Sequence, residues 1–392
     1  MCASRARWVP ARRQGRDGVR PRRDRRRVLG KGTTRVRLPR RIPAARGRRA
    51  LAGALLAVAA VACGGSAPPS RGSASPATAA GAVSCAVPDA RPTVRFLDAD
   101  TGVANRAAGG GCTVNDLVDD ERAWPDHGAF TAHVDEVARR LSRSGVISEP
   151  ERAALTRTAD RSGIGRPDGP RPYRWIFDGT RASFGDWGYV GDRGFALRDD
   201  GTVVTVATPA GGGLGLLWYR PERFGDFSLR LRFRDERAGG ADARSNGGVF
   251  VRFPGVDPAA HPECGTGDPA WVAVNCGHEI QINDTPEGGA GDPSKTGSVY
   301  GFADLGLARA RPTAKGVWND LEIRVVGQHY TVIRDGEVVN EFDNVPGLPF
   351  PGRPADPGTS GRQFARGHIG LQNHDGGSVI AFRDIRVRDL GR

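Results

Sequence analysis

The stretch YTVIRDGEVVNEF, residues 330–342, carries two short alternating runs joined by Asp335-Gly336. An Asp-Gly pair between alternating runs is the usual signal of a tight β-hairpin, because both turn residues must reach positive φ. The same texture extends in both directions. TVVTVAT (202–208), FSLRLRFR (227–234), GGVFVRF (247–253) and HEIQIND (278–284) precede the hairpin, together with LEIRVVG (321–327). GHIGLQNH (367–374) and VIAFRDIRVRDL (379–390) follow it. Short strands broken by Gly, Asp, Asn and Pro over about 220 residues predict a two-sheet β-sandwich or jelly roll.

Upstream the texture differs. Phe130, Val134, Val137 and Leu141 recur at helical spacing between Gly128 and Ser144, and Gly145 is placed to end that helix. SEPE (148–151) forms a capping box, Ser148 with Glu151, at the head of a second helix that Gly163 would close. Residues 83–164 therefore read as a small helical domain. GRPDGPRP (165–172) reads as a linker to a β domain over 173–392. His127 and His133 sit on or near the first helix and carry no recognisable chemistry.

The chain of 392 residues has a formal charge of +13. Residues 1–50 hold 19 Lys and Arg against two Asp, so the remainder is mildly acidic. No basic stripe with interleaved aromatics crosses the β domain, which argues against a nucleic-acid partner. The basic leader ends in ALAGALLAVAAVAC (50–63), too short for a membrane span and of signal-peptide length. AVAC resembles a bacterial lipobox. That resemblance implies lipidation of Cys63, a membrane-anchored extracytoplasmic protein, and a tether over 63–82. The Arg-rich residues before about Val36 exceed an ordinary signal n-region, and Met1 is the single Met, so the start is read as over-extended.

Cys85, Cys112, Cys264 and Cys276 allow three pairings. Proximity favours Cys85–Cys112 and Cys264–Cys276, one bridge per domain, in keeping with an oxidising compartment. The second bridge would close a long insertion-like loop over 253–276, worth about 2–3 kcal/mol in the chain-entropy account. No CxxC pair or EF-hand spacing points to a metal site. No cofactor is called for, although the Asp- and Asn-rich loops leave a structural calcium or other divalent ion open.

HEIQIND poses the functional question. Ile280 and Ile282 point one way, and Glu279, Gln281 and Asn283 the other. Three short polar groups in register read as a surface that holds a ligand. By the same parity, His368, Gln372 and His374 share the polar side of their strand, and Asn246 and Arg252 share one side of theirs. His278 has the opposite parity to Glu279 and reads as structural.

Several segments together resemble the 3-keto-disaccharide hydrolase family, a concanavalin-like jelly roll. They are GDWGYVGDRGFALRDDGTVVT (185–205), FGDFSLRLRFR (224–234), SNGGVFVRF (245–253), GHEIQINDT (277–285), TGSVYGF (296–302), GVWNDLEIRVVGQHYTVIRDGEVVNEF (316–342) and GHIGLQNHDGGSVIAFRDIRVRDL (367–390). The resemblance spans about Tyr173 to Leu390. It implies a sugar-binding sheet face and action on glycosides oxidised to a ketone at C3. Such a ketone acidifies the C2 hydrogen, so one base can start an elimination at C1. Glu279, His374 and Arg252 are the candidates for base, acid and enolate stabiliser. Asn246, Gln281, Asn283, His368 and Gln372 are candidates for holding hydroxyls, and Tyr300 and Trp318 for stacking on a sugar ring. Jelly-roll glucanases of related architecture carry E-x-D-x-E on such a strand. The single carboxylate here favours elimination over a two-carboxylate hydrolysis. A cell-surface enzyme cleaving 3-keto-glycosides and a non-catalytic sugar-binding module both fit these residues.

Overall fold

The computed structural model describes residues 84–206, 213–240, 243, 245–285 and 289–391. Cys63, the leader and the whole of the tether lie outside the described residues. Among the described residues no helix is long and apolar enough to cross a membrane.

The N-terminal unit holds more β structure than its helical periodicity predicts. Two small hairpins come first: β1 (Thr93–Phe96) with β2 (Ala99–Ala104), and β3 (Ala107–Gly109) with β4 (Cys112–Thr113). Helices α1 (Val114–Val118), α2 (His127–Arg143) and α3 (Glu149–Ser162) follow. Phe130, Val134, Val137 and Leu141 of α2 pack with Leu155 and Ala159 of α3 and with Val94, Phe96 and Val103 of the first hairpin. The predicted caps are present. Ser148 accepts from the Glu151 amide and Glu151 accepts from the Ser148 amide, while Gly163 ends α3 at φ 70°. Cys85 is bonded to Cys112. The segment after α3 is folded down and does not run free. A Cβ on Gly165 would lie 2.4 Å from the Asp126 backbone, so glycine permits a close approach to the head of α2.

The second core belongs to an antiparallel sandwich, the jelly roll that the sequence predicts. Its elements begin with β5 (Arg174–Phe177), α4 (Arg181–Phe184), β6 (Trp187–Gly191), β7 (Phe195–Leu197), β8 (Val203–Thr205) and β9 (Gly215–Tyr219). Next come β10 (Phe227–Asp235), β11 (Gly247–Phe253), α5 (Pro269–Cys276), β12 (His278–Ile282) and α6 (Leu307–Ala310). The last strands are β13 (Asn319–Val326), β14 (His329–Arg334), β15 (Glu337–Asp343), β16 (His368–Asn373) and β17 (Ile380–Asp389). One sheet runs β15-β14-β13-β10-β17-β8-β7, with β5 also on β17; the other runs β12-β11-β16-β9-β6. Leu229, Leu231, Ile323, Val325, Phe382 and Val387 of the first sheet meet Leu217, Val249, Ile280, Ile369 and Leu371 of the second. Each such buried side chain contributes about 1.5–3 kcal/mol.

The N-terminal unit covers the outer face of the larger sheet. Arg388 pairs with Asp98 at 2.7 Å, Arg386 and Arg230 both contact Glu121, and Arg232 donates to the Val87 carbonyl at 2.8 Å. Arg230 is buried and also holds Asp320 at 2.9 Å. This face is thus spent on joining the two cores, on the opposite side of the sandwich from Glu279.

Candidate active site

β12 is the edge strand of the smaller sheet. Its free side is taken up by the segment after it: the Tyr300 amide donates to the Glu279 carbonyl at 2.9 Å and the Gln281 amide to the Ser298 carbonyl at 3.0 Å. Ile280 and Ile282 enter the core between the sheets, which turns Glu279 and Gln281 to the outer face. In the ladder, Phe250 is opposite Glu279 and Gly248 opposite Gln281; on the far side of the same strand, Phe250 is opposite Gly370. Gly248 is the decisive neighbour. A Cβ there would stand 2.6 Å from the Glu279 Oε1, so the carboxyl lies over the glycine and reaches toward Gln372 on the strand beyond.

Glu279 is only 6 % exposed. Burial pushes its carboxyl up to about 7, while the His374 charge, the Gln372 amide and the Arg353 guanidinium pull in the other direction. A carboxyl poised there can take or give a proton near neutral pH. The Tyr300 phenol is also raised, first by its burial and then by the negative charge of Glu279, so it keeps its O–H.

The loop over 253–276 is a structured wall. Asp268 caps and Pro269 starts α5, a start signal present in the sequence. Ala270, Ala273 and Val274 of α5 lie on Phe250, Phe253, Leu214 and Leu216 of the sheet's outer face. Cys264 is bonded to Cys276 at the end of this helix. Buried Arg362 closes the corner, donating to the Val274 carbonyl at 2.8 Å and the Gly277 carbonyl at 2.9 Å while paired with Asp356 at 2.6 Å. It satisfies carbonyls that the helix end leaves without partners. Arg353, from the loop between β15 and β16, donates to Asn275 of α5 at 2.6 Å and packs on Phe350 and Trp271, its guanidinium carbon 4.6 Å and 5.0 Å from their ring centres. It also pairs with Asp356 at 3.4 Å, and its charge is felt by Glu279.

Of the predicted residues, the structure brings together Glu279, Gln281, Asn246, Gln372, His374 and Tyr300. Gln281 donates to Asn246 at 2.5 Å and to the Gly247 carbonyl at 2.9 Å. His374 is exposed beside Asp375. Four others are elsewhere. Arg252 has φ 62° in a bulge that breaks the register between Val251 and Phe253, which undoes its parity. Its guanidinium instead holds the Phe364 and Gly225 carbonyls at 2.8 and 3.1 Å. Trp318 lies against the larger sheet, with Arg234 4.4 Å over its ring. His368 faces outward, but beyond Phe253 and Trp218, with its ring bonded to the Tyr219 carbonyl. Asn283 follows the last β12 residue and accepts from the Thr285 amide in a local turn. His278 is a core residue, as its parity predicts: it packs on Tyr330, Phe302 and Phe342, and burial lowers its ring to about 3. Sequence reasoning missed Arg353, Asn275, Trp271 and Gly248. The double glycine inside a strand was the available signal for the last. No spacing marks Arg353 in its Pro/Gly-rich loop.

Among the described residues no group of three or more His, Cys, Asp or Glu side chains is placed to hold a metal ion. A family profile, that of the 3-keto-alpha-glucoside-1,2-lyase-like domain, matches residues 172–388. The chain belongs to this family. Its β domain is therefore a 3-keto-alpha-glucoside-1,2-lyase-like domain, and the protein is carbohydrate-active. Among solved structures it is similar to a protein of Parabacteroides distasonis provisionally described as a glycosyl hydrolase, at 25 % identity and TM-score 0.41, covering 56 % of this chain and 99 % of that one. It is also similar to the carbohydrate-binding module CBM66 of Bacillus subtilis, at 12 % identity and TM-score 0.33, covering 52 % and 96 %. No curated protein matches the sequence.

Proposed function

We propose that the protein cleaves 3-keto-glycosides, 3-keto-disaccharides among them, by removing the C2 proton and eliminating the C1 substituent. The observation that carries this reading is one buried carboxyl, Glu279, laid over Gly248 and raised to about 7, within reach of the charge of Arg353. Glu279 takes the C2 proton, and the electron pair moves onto the C3 oxygen as an enolate. Arg353 supplies donors for that oxygen as its charge develops toward the enolate. The enolate then collapses, the C1–O bond breaks, and the departing oxygen leaves as a hydroxyl after taking a proton. Water adds across the resulting C1=C2 bond, hydroxyl to C1 and hydrogen to C2, and gives the free 3-keto sugar. Gln281, Asn246 and Gln372 hold sugar hydroxyls, and His374 serves as the exposed proton carrier. The ketone supplies the acidity, so the proposed chemistry enlists no cofactor. The two disulfides suit an oxidising compartment, and lipid on Cys63 would tether the protein to a membrane surface.

Incubation with 3-keto-trehalose, with sugar release followed in time, tests the reading. Release of glucose and 3-keto-glucose at a rate that depends on Glu279 is expected. Saturable sugar binding with no release would leave the non-catalytic binding module in its place.

A further inference from the structure

Along the segment that pairs with the free edge of β12 is a space of about 260 Å³, walled by Tyr300, Phe302, Phe350, Pro293 and Pro351. Its one carboxylate, Asp304, is bound to the buried Lys295 at 2.9 Å and is already neutralised. Phe350 meets Tyr300 and Phe302 edge-on at 5.3 and 5.4 Å, so the wall is a fixed aromatic corner. Gly301 holds it there: a Cβ would stand 2.3 Å from the Phe350 ring. An apolar cavity of roughly 150 Å³ is enough to hold benzene. This one has room for a substituted ring and few partners for hydroxyl groups.

Tyr300 joins this space to Glu279. Its phenol feels the Glu279 charge, its amide holds the Glu279 carbonyl, and its ring lines the aromatic corner. Arg353, packed on Phe350, spans the same boundary. A substrate with its C2 hydrogen at Glu279 has its C1 substituent one bond further on. On one side of Glu279, α5 covers the sheet. The polar side, with Gln281, Asn246 and Gln372, suits the hydroxyls of the oxidised sugar. The aromatic corner is left for the leaving group.

We infer that the cleft bounded by Tyr300, Phe302 and Phe350 receives an aromatic or otherwise apolar aglycone, so that aryl 3-keto-glycosides rather than 3-keto-disaccharides are the preferred substrates. The inference rests on the proposed cleavage reaction and names its substrate class. Initial rates on 4-nitrophenyl 3-keto-α-glucoside and on 3-keto-trehalose give the test. A kcat/KM ratio of roughly tenfold or more in favour of the aryl substrate is expected; the better leaving group supplies part of it, and the part that the cleft variants remove is the discrimination of the apolar pocket. Phe350→Ala and Pro351→Glu should each lower that ratio at least fivefold. Pro351 is exposed, so the second variant keeps the fold even where the first does not. Binding of unoxidised 4-nitrophenyl α-glucoside to Glu279→Gln, followed by saturation-transfer NMR, separates the two ideas. Strong transfer to the ring protons, lost on adding either cleft substitution, supports the cleft even if no ketone substrate is cleaved. Equal rates on both substrates, with a ratio unmoved by either variant, would overturn the inference and leave the cleavage reading standing.

Discussion

Gly248 sits where any side chain would collide with Glu279: its Cβ would be 2.6 Å from the carboxyl oxygen. A residue with no side chain on the middle strand lets a carboxyl on one neighbour reach an amide on the other. Gly248→Ala is therefore expected to keep the fold and push the carboxyl off its position. A displacement on the order of 1 Å costs about 10²-fold in rate. Steady-state kinetics should show a drop of that size in kcat, with a thermal midpoint close to the parent. A variant as active as the parent would mean that the carboxyl position is unimportant.

Glu279 and Gln281 share a strand face but have separate tasks. Glu279→Gln keeps shape and hydrogen-bonding capacity and removes the proton acceptor. Turnover should fall by about 10²–10⁴-fold while sugar binding persists. Gln281→Ala should mainly raise KM, because an amide holds hydroxyls and takes no proton. Exchange of the C2 hydrogen with solvent deuterium on a 3-keto-glycoside reads the first step directly. If Glu279→Gln exchanges as fast as the parent, another group is the base, and His374 is next in line.

The sandwich and the two α2–α3 helices were legible because each rests on a local period: alternation with Asp335-Gly336 in β14–β15, and the Phe130, Val134, Val137, Leu141 spacing with its caps. Parity along β12 also placed Glu279, Gln281 and His278 on the correct sides. Parity failed at Arg252, where one bulge residue reverses every inference made beyond it. It failed differently at His368, since facing outward does not say which end of a face. Arg353 was illegible because it reaches the site through Asn275 and Phe350, contacts that a loop makes only after the chain has folded. The hairpins β1–β2 and β3–β4 are too short to leave a periodic trace.

The junction between the cores has its own test. Glu121 contacts both Arg230 and Arg386, and Arg230 is almost wholly buried. Breaking a buried pair outright costs about 3–5 kcal/mol. Asp320 still pairs with Arg230 when Glu121 is removed, so Glu121→Ala should lower the unfolding free energy in urea titration by less than that. Its kcat should stay within twofold, roughly the scatter expected for independent distant sites, because the network lies on the far side of the sandwich from Glu279. A large loss of kcat without loss of stability would place the N-terminal unit in catalysis.

Glu279 makes opposite predictions for stability and for activity. Its ordinary value is 4.5 and its folded value about 7. Between those values the folded chain keeps a proton that the unfolded chain has released. Stability must then fall as pH rises through that window, by about 3 kcal/mol in total, and level off above it. As a base, the same group must lose its proton to work, so kcat/KM for the free enzyme should rise with pH and level off above about 7. His374 and Arg353 both act on the Glu279 carboxyl, so the difference from Glu279→Gln is the informative quantity. Urea midpoints at pH 5 and pH 8 should differ less in Glu279→Gln than in the parent. The residual activity of the variant should lose the rise near 7. A parent whose stability climbs from pH 5 to 8 while the variant follows it in parallel would mean that the carboxyl is solvated and ionised, and unsuited to be the base.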